Sequence, residues 1–200
     1  MISGIVLAAG TSSRLGRPKQ LLDLGGRPVL QRVLDAALAA SLDEILVVLG
    51  HMADDVEAAV TFEERVRPIL NPDYREGQST SLRRGLRAVH EGSMAAVMLL
   101  GDQPGVRPVA IDAVVAAWRS GAGPIVQASY QGSPAHPTLL GRETWPELEA
   151  ASGDEGARGF ISAHSRERTL VEVGGEVPDD IDTEEDYRRA LAKQQSTGST

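Results

Sequence analysis

The sequence predicts an α/β layer fold with a mostly parallel central sheet. Three observations carry that prediction: continuous apolar runs of strand length, amphipathic stretches at helical spacing, and the alternation of the two through short connections. A chain of 200 residues suits one domain with a sizeable core, expected over 1–193, with 194–200 as a polar, flexible tail.

Ile2–Ala9 is the first apolar run; it ends at Gly10 and reads as a buried strand. Gly10–Gln20 is a loop rich in Gly, Ser, Thr and Arg. From Pro28 onward, Val29, Leu30, Val33, Leu34, Ala37 and Leu38 recur at the spacing of one helical face. Glu44–Gly50 is a second strand, Asp54–Val60 a helix and Val66–Leu70 a third strand. Ser79–His90 is helical through Leu82, Leu86 and Val89, and Ala95–Leu100 is a fourth strand that stops at Gly101-Asp102-Gln103-Pro104. Ile111–Trp118 reads as a helix and Pro124–Ala128 as a strand. Beyond this point the pattern loosens. Ser133–Pro137 is turn-rich, Thr138–Leu140 is a strand candidate, and Glu143–Ala150 and Glu155–His164 are short helices broken at Gly153-Asp154. Thr169–Val173 is a further strand, and a last helix follows Asp182, opens on acidic Glu184 and Glu185, and runs to about Lys193.

Composition narrows the function. A formal charge of −8 argues against a nucleic-acid backbone as partner, because such binders present a broad basic face. The chain has no cysteine, which excludes disulfides and thiolate zinc sites, and His51, His90, His136 and His164 are not at zinc spacing. The start Met1-Ile2-Ser3-Gly4 lacks a basic signal-peptide region, and no apolar run approaches membrane-spanning length, so a cytoplasmic protein without membrane contact is expected. Against this acidic background Arg14, Arg17 and Lys19 cluster near the N-terminus, which points to a small anionic ligand.

The cluster lies in Leu7-Ala8-Ala9-Gly10-Thr11-Ser12-Ser13-Arg14-Leu15-Gly16-Arg17-Pro18-Lys19, a loop leaving the carboxyl end of a strand, where open α/β sheets bind ligands. Small residues let backbone N–H groups approach phosphate oxygens, and the cations supply compensating charge. Neither a Gly-Lys-Ser/Thr triplet nor a Gly-x-Gly-x-x-Gly fingerprint occurs here. The segment instead resembles the signature of the MobA-like NTP transferase family, closest to its molybdenum cofactor cytidylyltransferases. The resemblance extends through Gln20-Leu21-Leu22-Asp23, Asn71-Pro72, Gly77–Leu82, Leu100–Pro104, Pro134–Pro137, Gly153–Arg158 and Asp180–Asp186.

That resemblance implies a Rossmann-like three-layer fold of the nucleotide-diphospho-sugar transferase type, with a mixed, mostly parallel sheet. It also implies a Mg²⁺-dependent enzyme that moves a nucleoside monophosphate from an NTP to a small phosphorylated acceptor such as molybdopterin, releasing pyrophosphate. Ala-Ala-Gly at Ala8-Ala9-Gly10 favours CTP, since Ala-Gly-Gly is commoner among the guanylyltransferases. Transfer of GMP, a sugar-phosphate acceptor, and a non-catalytic role delivering a nucleotide cofactor to a molybdenum enzyme are the alternatives; such an enzyme would be a client partner. An oxidoreductase is a further rival, which the missing fingerprint counts against.

The implied catalytic residues are Lys19 and Arg14, on the phosphates, and Asp102, holding the metal. Leu7, Ala8, Ala9 and Gly10 would lie along the nucleotide, together with Lys19, Asn71, Ser79 and Asp102. Arg14 could instead pair with an acidic neighbour. Asp182 fits both a second metal carboxylate and a helix N-cap, with Asp180 a weaker candidate for the metal, and His136 could touch an anionic acceptor or lie on the surface.

Overall fold

The computed structural model describes residues 1–150 and 156–197. Among these, seven strands form one sheet in the order β3-β2-β1-β4-β6-β5-β7. They are β1 (Ile2–Ala8), β2 (Glu44–Leu49), β3 (Val66–Leu70), β4 (Ala95–Leu100), β5 (Ile125–Tyr130), β6 (Ser133–Gly141) and β7 (Arg168–Glu172). Only β6 runs antiparallel to its neighbours β4 and β5. The helices are α1 (Val29–Leu38), α2 (Ala53–Ala59), α3 (Gln78–Ala88), α4 (Pro108–Arg119), α5 (Trp145–Ala150), α6 (Arg158–Ala163) and α7 (Glu184–Thr197).

Because successive strand side chains point to opposite faces, the buried run of β1 feeds two cores. Val6 and Ala8 pack with Leu30, Val33 and Leu34 of α1, Val56 of α2 and Ile111, Val114 and Val115 of α4. Ile5 packs on the other face with Leu82 and Leu86 of α3, Trp145 and Leu148 of α5 and Phe160 and Ile161 of α6. This is the expected three-layer α/β architecture. A third cluster joins Leu22, Leu24 and Val29 to Ile181, with Tyr187, Ala190 and Leu191 of α7 against it. It fastens the C-terminal helix beside the loop that follows β1.

Two differences from the sequence reading concern the second half. Ser133–Pro137 is not a turn segment but the first part of β6. Its prolines are tolerated because the register with β5 shifts between Gln127 and Ala128, so the ladder is already irregular there. The last helix runs to Thr197, past the expected end near Lys193, while 198–200 lie outside the described residues. The expected break at Gly153-Asp154 and the start of the helix at Glu155 also lie outside them. Among the described residues, no helix is long and apolar enough to cross a membrane.

Candidate active site

The site forms where β1 and β4 end side by side. Gly101 donates its N–H to the Leu7 carbonyl at 2.9 Å. A Cβ at this glycine would stand 2.9 Å from the Ala8 Cβ and 3.1 Å from the Leu7 oxygen, so a side chain there would push the two strand ends apart. Glycine thus lets the next residue, Asp102, emerge directly beside the loop after β1. That loop is held by Ser12, which adopts a left-handed φ of 53°. The Ser12 carbonyl accepts from Leu15 and Gly16, and its hydroxyl accepts the Lys19 backbone N–H at 3.0 Å. Gln20, 2% exposed, crosses underneath and donates its amide to the Ala8 carbonyl at 2.8 Å.

A cleft of about 290 Å³ opens here. Leu7–Thr11, Lys19 and Asp102 form one wall, and Tyr74, Gln78 and Ser81 the other. At its mouth the Lys19 ammonium is bonded to the Asp102 carboxylate and, at 2.7 Å, to Asp182. Burial opposes the lysine's charge, but the two carboxylates outweigh it and raise its pKa above the ordinary value. Asp180, bonded by the Gln103 amide at 2.8 Å, has its pKa raised by burial and by the negative charges of Asp102 and Asp182.

A second cleft of about 570 Å³ continues from the first, sharing Leu7, Gln78 and Leu100 with it. It is lined by Gln127, His136, Arg158, Arg168 and Asp180. The His136 Nδ1 lies 3.3 Å from the Met98 carbonyl. Burial lowers this histidine's pKa, and the nearby positive charge of Arg158 acts in the same direction, so the neutral ring is favoured.

The structure therefore brings Leu7, Ala8, Ala9, Gly10, Lys19 and Asp102 to one cleft, with Asp182 at its mouth. It places three expected residues elsewhere. Arg14, its side chain 73% exposed, is not in the cleft wall; it faces Asp182 at 3.6 Å. Asn71 and Ser79 are each 1% exposed and stand behind the wall. Ser79 precedes Leu82 and Leu86 by three and seven positions and so shares their inward face of α3. Asp182 does not cap α7: Thr183 and Asp186 exchange the capping bonds, with Thr183 Oγ1 accepting the Asp186 N–H at 3.2 Å and Asp186 accepting the Thr183 N–H at 2.9 Å.

Ser81, Arg158 and Arg168 were not singled out from sequence, although helical phase would have separated Ser81 from Ser79. Asn71 still acts on the cleft. Its Oδ1 accepts the Asp73 N–H at 3.1 Å, which fixes the amide's orientation, and its Nδ2 donates to Thr80 Oγ1 and Ser81 Oγ, both at 2.9 Å. Ser81 Oγ is thus an acceptor towards Asn71, and its own proton is left for the cleft.

Two carboxylates converging on one cation, with no third His, Cys, Asp or Glu completing a ligand group among the described residues, fit a hard divalent ion that takes its remaining ligands from phosphate and water.

Residues 4–169 match the model of the MobA-like NTP transferase domain. Nicotine blue oxidoreductase of Paenarthrobacter nicotinovorans is 32% identical, over 95% of this chain and 96% of its own. The bifunctional protein GlmU of Sorangium cellulosum (strain So ce56) is 36% identical over 86% of this chain, which spans 37% of GlmU. Among solved structures, Rv0371C of Mycobacterium tuberculosis H37Rv in complex with manganese superposes with a TM-score of 0.81 at 33% identity, covering 96% of this chain and 97% of that one.

Proposed function

The chain belongs to the MobA-like NTP transferase family, and from that membership we propose that it transfers CMP from CTP to a small phosphorylated acceptor such as molybdopterin, releasing pyrophosphate. The observation that carries this reading is the meeting of Lys19, Asp102 and Asp182 at the first cleft, which a second cleft adjoins through Leu7, Gln78 and Leu100. The nucleotide lies in the first cleft, along the backbone of Leu7–Gly10. The acceptor lies in the second, where Arg158 and Arg168 offer charge to a phosphate and the neutral His136 offers Nε2 to an N–H or O–H donor.

An acceptor phosphate oxygen attacks the α-phosphorus, the bond from that phosphorus to the bridging oxygen breaks, and pyrophosphate departs with the electron pair. The acceptor is ionised already, so positioning and charge neutralisation suffice. Asp102 and Asp182 would hold Mg²⁺, which when bound neutralises charge on the phosphate oxygens. Lys19 and the backbone N–H groups of the first loop hold the leaving pyrophosphate.

For the base, the Ser81 hydroxyl, set as a donor by Asn71, suits the ring acceptors of cytosine, and Ala9 carries one methyl more than the glycine it would replace in the cleft wall. A methyl discriminates by only about 1 to 3 kcal/mol and every base offers an acceptor to a hydroxyl, so further hydrogen-bonding groups along the cleft must complete the selection. In the presence of Mg²⁺, CTP is expected to raise the melting temperature more than GTP, ATP or UTP, and CTP with a pterin phosphate to release pyrophosphate. A larger shift with GTP would reverse the base assignment; no shift with any NTP would overturn the whole reading. A second reading, an oxidoreductase, is favoured by the end-to-end match to a protein of that name. It predicts oxidation of a reduced dinucleotide and no pyrophosphate in the same assay.

A further inference from the structure

We propose that Lys19 is an exchangeable internal cation: it fills the point where Asp102 and Asp182 converge, and gives it up only to a divalent metal that arrives with a triphosphate. The inference rests on Asp102 and Asp182 being the metal-holding pair. Lys19 bonds both carboxylates, and its side chain is only 14% exposed. The side chain that would grip the triphosphate is therefore already committed to the residues that would grip the metal. Two cations repel strongly at such separations in a partly buried site, so both cannot stay.

The two possible routes of metal entry then differ. A bare ion must expel Lys19 and leave an ammonium without a counter-ion in a shielded cleft, which makes loading of the free protein poor. A metal already bound to a triphosphate carries the replacement partner, because phosphate oxygens receive Lys19 as the carboxylates receive the metal. The loop is built for that exchange. The Lys19 backbone is pinned by Ser12 at 3.0 Å, while its four-carbon stem is free to swing between carboxylates and phosphate. Arg14 does not take over the inner position, since at 3.6 Å from Asp182 it stays on the exposed side. Metal and triphosphate consequently raise each other's affinity, and by linkage the effect is reciprocal.

The test is Mn²⁺ binding to the nucleotide-free protein, followed by electron paramagnetic resonance. Lys19→Met should bind one Mn²⁺ on the order of tenfold more tightly than the wild type, and the gain should vanish in Lys19→Met/Asp102→Asn. Lys19→Gln, which keeps hydrogen bonding without the charge, should show the same gain and stands in if the methionine variant fails to fold. Affinity in both lysine variants equal to or below wild type overturns the exchange, whereas Asp102→Asn lowering Mn²⁺ affinity would still uphold the metal site. A gain that survives Asp102→Asn overturns the metal site itself, and the inference with it.

Discussion

The Lys19 ammonium and the Asp182 carboxylate stand 2.7 Å apart across 163 residues of chain. The contact is set by packing: Ile181 and α7 bury against Leu22, Leu24 and Val29, just beyond Lys19. The two ends of the protein thereby meet at one charged point, and several outcomes can be measured there.

Asp102→Asn should keep the fold, since the amide retains shape and can still accept from Lys19, but remove the charge that would hold the metal. Metal-dependent turnover should fall on the order of 100-fold, with an unchanged circular dichroism spectrum. Near-wild-type rates across a magnesium titration would remove Asp102 from the metal site.

Lys19→Ala should lower catalytic efficiency by about 2 to 4 kcal/mol at the transition state. From sequence, a loop lysine buries little surface, and little change in stability is expected. The structure gives reason to expect one, because the substitution leaves Asp102, 17% exposed, facing Asp182 without a counter-ion. Urea unfolding should show a loss of about 1 to 3 kcal/mol, and adding Asp102→Asn should restore part of it. Equal stability of the variant and the wild type would mean that the pair does not support the fold.

Arg158→Ala should raise KM for the phosphorylated acceptor by about tenfold or more while leaving NTP affinity unchanged, because Arg158 lines the second cleft and not the first. A change confined to NTP binding would reassign that cleft.

Burial disfavours the charged form of His136 and holds its pKa below the ordinary histidine value in the folded protein. Its contribution to stability is fully present above the unfolded value and is lost as pH falls from there through the lowered folded value. Wild-type melting temperature should therefore drop between about pH 7.5 and about pH 5 more than that of His136→Gln, which keeps a donor for the Met98 carbonyl. Identical pH profiles would show that His136 charges freely in the native state.

Most of the first half of the fold was legible in the sequence because β1, β2 and β4 are buried on both faces and read as nearly unbroken apolar runs, as in Ile45–Leu49. The loop from Leu7 to Lys19 and the turn at Asp102 were legible for a similar reason: each follows such a run directly. Legibility failed where tertiary contacts override local pattern. Pro134 and Pro137 read as turn residues, yet an irregular ladder takes them into β6. Asp182 was ambiguous because an acidic residue before a helix suits two jobs, and only the Thr183–Asp186 exchange shows that the cap is already supplied. Ser79 and Ser81 differ solely in helical phase, and the phase was readable from Leu82 and Leu86. Arg158 closes the resembling segment Gly153–Arg158 but is not marked within it, and Arg168 carries no local signal; what assembles the two is the second cleft.

The reversed direction of β6 has a consequence for how this protein could be refitted. Parallel strands deliver their ends to the sheet edge that carries the chemistry, whereas β6 delivers its beginning, and so the β5–β6 hairpin turn at Gln131-Gly132 hangs over the same edge. Both turn residues have positive φ, 53° and 82°, as the tightest hairpins require. Additional residues inserted there would extend over the second cleft, which Pro134, Ala135 and His136 line, without disturbing the strand ends that carry Ala9, Gly10 and Asp102. On the proposed function, grafting a longer hairpin at this turn is thus the economical route to a new acceptor: one loop is rebuilt, and the proposed nucleotide cleft is inherited whole.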